Sequence, residues 1–141
     1  MKGRYKRVKE PNIRETFVQG KLLMWMAISL IALEGLIHLL DAPGSFEDAT
    51  YKGLLFMAIV IGAAVASVGM YWGYRSGWSL GALIAASAFV GYVISRTIGL
   101  PGLPVEEWFE PLGILSLLVE GLFVSLYLAL LAPHRTSLKV D

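Results

Sequence analysis

Glu34, His38 and Asp41 stand four and three residues apart inside an apolar run. At about 100° per residue a helix gathers them within an arc of about 60°, as one line of polar side chains. Carboxylates and imidazoles at such spacing can hold a metal ion or pass a proton. Ser116 and Glu120, one turn apart in another apolar run, and Arg96, near the end of a third, add to the same chemistry. Glu34 and Glu120 lie roughly 9 and 12 Å below the ends of their runs at 1.5 Å per residue, so they are nearly level. The matched depth predicts one polar cluster of Glu34, His38, Arg96, Ser116 and Glu120, with the Arg96 guanidinium neutralising one or both glutamates. Met57 sits at a depth comparable to His38, and a Glu34–His38–Met57 donor set suits copper, the thioether favouring the reduced ion. The bland reading of the same residues is an internal clasp that holds three helices in register without a ligand.

Much other chemistry is excluded. His38 and His134 are the only histidines and fall at opposite ends of the runs, so bis-histidine haem within one chain is ruled out. The chain has no cysteine, which removes thiolate nucleophiles, iron–sulfur clusters and thiolate zinc sites. Paired Glu-x-x-His motifs, His-Glu-x-x-His and a phosphate-binding glycine loop are all missing. No charged residue crosses the other half of the four runs, so a single chain offers no continuous path for a proton or ion.

The elements that must position these residues follow from composition. Of the 141 residues, 56% are hydrophobic and 16% charged, far from the roughly 25% charge of a water-soluble domain. Four apolar stretches, 22–40, 54–72, 78–98 and 112–131, each approach the roughly 20 residues that cross a bilayer. Short connections make neighbours antiparallel, so the expected fold is all-α: an integral-membrane up-down four-helix bundle over 22–132. A basic segment with a short helix (1–21) precedes it and a short tail (133–141) follows.

Orientation comes from charge. Ten of the twelve Lys and Arg residues fall on the side of the two termini, and eight of the eleven acidic residues on the other side or in its half of the bundle. The positive-inside rule then makes both termini cytoplasmic, in a multi-pass protein of the cytoplasmic membrane. Lys2, Arg4, Lys6, Arg7 and Lys9 are placed to meet anionic lipid headgroups, and nucleic acid is not an expected partner. Asp41, Glu106, Glu107 and Glu110 would form an acidic rim on the far side.

Local signals add detail. Pro43-Gly44 predicts a turn, with a new helix starting at Ser45. Pro101, Gly102 and Pro104 break the chain, Glu106 and Glu107 suit the first turn of another helix, and Pro111 should kink or restart it. Small residues recur one turn apart at Gly62, Ala66, Gly69 and Gly73, and at Gly81, Ala85 and Ala88. Such stripes serve close packing inside a bundle, between copies of the chain, or against other membrane subunits.

The strings Glu34–Leu39, Tyr51–Phe56 and Ser95–Gly102, and Pro111-Leu112-Gly113 followed by Ser116 and Glu120, resemble segments of small four-span membrane proteins of prokaryotes. The resemblance implies the bundle and carries no activity. With no catalytic constellation in view, the leading expectation is a non-catalytic accessory subunit of a larger membrane complex. The alternatives are a metal- or cofactor-binding protein that uses the polar cluster and a quinone-linked oxidoreductase component.

Overall fold

The computed structural model describes residues 13–131, with side chains from Gly20 onward. Lys2, Arg4, Lys6, Arg7 and Lys9, with the tail from Pro133, lie outside the described residues. Four helices carry the fold: α1 (Ile13–Asp48), α2 (Thr50–Tyr71), α3 (Arg75–Thr97) and α4 (Pro111–Leu131). All four are long and apolar enough to cross a membrane, α1 from Gly20 onward. Each packs on two neighbours, α1 and α3 both touching α2 and α4 with little contact across the diagonal.

Leu54, Ile61, Leu83 and Leu122 face outward, while Glu34, Arg96 and Glu120 are buried. The core between the helices is made of small or slender residues: Ala27, Ile31, Ala63, Ala66, Met70 and Ala85, closed by Phe123. This distribution suits hydrocarbon as the surrounding solvent, since leucine gains nothing by hiding from lipid and a charge gains much.

Part of each small-residue stripe is used within the chain. A Cβ on Gly77 would lie 2.9 Å from the Gly69 Cα and 2.5 Å from the Met70 nitrogen, so α2 and α3 touch backbone to backbone at the end where residues 72–74 join them. Gly62 makes room for Ile84 and Gly81 for Phe123 in the same way.

Two local expectations are corrected. The helix does not break at Pro43-Gly44: α1 runs through Pro43 to Asp48, and Ala49 alone, in extended backbone, links it to α2. Pro43 gives up one backbone hydrogen bond, but the Phe46 ring beyond it covers Gly53 of α2, where any Cβ would clash. That packing outweighs the turn propensity of the dipeptide. The acidic pair Glu106–Glu107 does not open a helix either. Residues 98–110 form an irregular loop that turns at Gly99 (φ +81°) and returns to α3, where the Glu106 N–H donates to the Ser95 carbonyl at 3.0 Å. Helix α4 then begins at Pro111, where the missing N–H costs nothing.

Candidate metal centre

Two polar regions occupy the half of the bundle where α1 meets α2. The deeper one is formed by α1 and α4. Glu34 and His38 share a face of α1 one turn apart, Glu120 comes from α4, and one ligand-capable atom of each lies within 4.8 Å of the others. All three are buried, with Glu34 at 0% and Glu120 at 1% exposure. His38 Nδ1 lies 2.9 Å from the Glu34 backbone carbonyl. A carbonyl can only accept, so Nδ1 carries the proton and the lone pair of the neutral ring is on Nε2. The ring is further held by Phe56 of α2, with 4.9 Å between centroids.

The carboxylates are short of donors. Ser116 Oγ donates to Glu120 Oε1, but both oxygens of Glu34 and Oε2 of Glu120 have no partner. Buried polar atoms are almost always satisfied, because an unmade bond forfeits the full cost of desolvation. Three orphan carboxylate oxygens around one imidazole therefore mark a place lacking a positive or proton-donating group.

The second region, at the rim, is complete. Arg96 Nη1 donates to Glu106 Oε2 (2.6 Å) and Ser95 Oγ (2.7 Å), Nη2 to Glu110 Oε2 (2.7 Å), and Nε to the Glu107 carbonyl (3.1 Å). The guanidinium lies 3.8 Å from the centre of the Tyr92 ring, a cation–π contact. Lys52 Nζ donates to Asp48 (2.6 Å) and to Glu106, so one carboxylate joins the two cations. Tyr51 donates to the Pro101 carbonyl at 2.8 Å and Tyr92 to that of Trp108 at 2.7 Å, fastening the 98–110 loop to α2 and α3. Gly113 keeps α4 clear of this assembly, since a Cβ there would stand 2.5 Å from the Tyr92 ring.

The expected cluster is thus divided. Glu34, His38, Ser116 and Glu120 come together, but Arg96 bonds Glu106 and Glu110 rather than Glu34 or Glu120. It lies in the last turn of α3, where its side chain meets the returning loop. Met57 is half-buried one position beyond Phe56, about 100° further round α2, and does not line the cavity described next. Asp41 lines that cavity beside His38. Sequence reasoning missed Lys52 as a bridge and Ser45, whose buried hydroxyl has no partner. The signal for Lys52 was its four-residue spacing from Asp48.

Between the two regions lies a cavity of about 680 Å³. His38, Ser116 and Glu120 stand on its wall at depth, and Lys52, Arg96 and Glu106 at the rim. No family model, curated protein or solved structure matches the chain.

Proposed function

We propose that this chain is a metal-binding multi-pass membrane protein whose site is Glu34, His38 and Glu120. The observation that carries the reading is the pair of unpartnered, fully buried Glu34 oxygens beside an imidazole and a second carboxylate. A divalent cation balances two carboxylates, which matters where uncompensated charge is most costly. Two oxygen donors and one nitrogen suit a first-row divalent ion such as zinc, manganese or iron(II). Donors about 2.1 Å from a shared ion stand roughly 3.0–3.4 Å apart, and a small rotation of a carboxylate draws in the wider separations.

The Nδ1 bond to the Glu34 carbonyl fixes the ring in the manner typical of ligating histidines. Three protein ligands leave at least one coordination position for an outside group. The charge asymmetry of the sequence supports cytoplasmic termini, with the rim facing away from the cytoplasm in the cytoplasmic membrane. Of the small residues that could serve an outside partner, Gly62, Gly69 and Gly81 are met by contacts within the chain.

Titration of the purified, chelator-treated protein with Co²⁺ tests the proposal. Visible d–d bands should saturate at one equivalent, be displaced by Zn²⁺, and be absent from Glu34→Gln and His38→Ala. Featureless spectra with no competition by Zn²⁺ would overturn it.

A further inference from the structure

The cavity beside this centre has a polar end, an apolar side and an opening toward lipid. Helices α2 and α3 touch at Gly69 and Gly77, and Ile84 fills the space over Gly62. Nearer the rim the α2 wall continues through Ala58 and Leu55 and the α3 wall through Ser87 and Gly91, with Leu83 level with Ile84 at the deep edge. Leu55 and Leu83 are 56% and 65% exposed even though both line the cavity, so the chamber is open on the outward face between the two helices. At the rim, Tyr51–Pro101 and Lys52–Glu106 tie α2 to the loop after α3. The result is a side window, bounded at one end by packed helices and at the other by an ionic strap. Gly91 faces this space, and a Cβ there would meet no atom within 4 Å.

We infer that the chamber takes a neutral-headed, single-chain amphiphile from the bilayer, with its head oxygen at the His38–Glu120 wall and its chain between α2 and α3. The head assignment rests on the metal reading, whereas the chamber and window do not. Volume fits, since pockets of roughly 300–1,000 Å³ hold ligands of this size. Charge complementarity chooses the head. Two carboxylates already balance a divalent ion, and the rest of the lining carries Asp41, Glu47, Asp48, Glu106 and Glu110 against Lys52 and Arg96, so the excess is acidic and an anionic head would be repelled. A carbonyl or hydroxyl oxygen can fill the open coordination position without adding charge. A quinone and a monoacylglycerol share this chemistry.

Native mass spectrometry of the zinc-loaded protein released from lipid nanodiscs, with decylubiquinone or 1-decanoylglycerol added, reads metal and amphiphile in one spectrum. The expected result is one probe molecule per chain for at least one probe, and which probe is retained distinguishes the two sources. Gly91→Leu, whose Cβ meets no atom within 4 Å and which puts a branched side chain into the chamber, should lower the occupied fraction at least tenfold while zinc stays bound. Leu118→Phe, on the exposed face of α4 away from the cavity, should change neither. His38→Ala should lose zinc and weaken probe retention. Equal retention by wild type, Gly91→Leu and Leu118→Phe, or none in the wild type, would overturn the chamber whether or not zinc is found. Retention sensitive to Gly91→Leu but unaltered by His38→Ala would overturn the head placement. Absence of zinc with Gly91-sensitive retention would remove the metal reading and leave the chamber standing.

Discussion

At the rim, Arg96 and Lys52 are answered by Glu106, Glu110 and Asp48, with the Ser95 hydroxyl, the Glu107 carbonyl and the Tyr92 ring completing the shell. Deeper in the same bundle, Glu34 and Glu120 keep three carboxylate oxygens without a donor beside His38. Both regions are costly to bury, yet the first is a finished ion network and the second is short of donors. Buried charge alone therefore does not distinguish a structural clasp from a binding site. The balance of donors against acceptors does, because a satisfied network gains nothing from a ligand and an unsatisfied one gains most of what burial cost it.

The contrast can be broken most forcefully at Arg96. Arg96→Met leaves Glu106 and Glu110 without their cation and should destabilise the protein by on the order of 3 kcal/mol. Thermal unfolding in nanodiscs reads this as a clear fall in Tm, and an unchanged Tm would show the rim network to be dispensable. Next in size is the effect of metal on the deep region. Zn²⁺ at a hundred times its Kd should stabilise the wild type by about 2.7 kcal/mol. The gain should reverse on chelation and be absent from Glu34→Gln and His38→Ala. Equal stabilisation of all three proteins would move the metal elsewhere.

Glu120→Met sharpens the comparison through its sign. Without metal, an apolar residue replacing one of two crowded carboxyls should raise stability by about 1–2 kcal/mol while abolishing metal binding. A loss of several kcal/mol would make the deep region a clasp after all. The smallest effect lies between the regions, at Gly91. Gly91→Ala meets open space and should add about 0.5–1 kcal/mol from helix propensity alone. A destabilisation there would mean that the cavity is narrower than described.

The sequence carried the spans and the deep triad for the same reason. Hydrophobic runs and a fixed rise per residue convert position into depth, and equal depth brought Glu34, His38, Ser116 and Glu120 level before any contact was known. It could not carry the partners of Arg96. These come from residues 98–110, which have no periodicity, and their path depends on a reversal at Gly99 and a backbone bond from Glu106 to Ser95. The turn expected at Pro43-Gly44 failed because local propensity was outweighed by Phe46 packing over Gly53, a contact between helices invisible to a local pattern. Rotation is less legible than depth: depth follows from a run of residues, but which neighbour faces inward depends on how α2 is turned, and it is Phe56 whose ring meets His38.

The central claim is that the deep triad holds one divalent metal. Elemental analysis of the protein gently extracted from its own membrane through metal-free buffers tests it most directly, with Glu34→Gln prepared alongside. The account predicts about one first-row divalent ion per wild-type chain, as expected of a site with three protein ligands, and almost none in the variant. A metal-free wild type, or equal metal in both proteins, would contradict it.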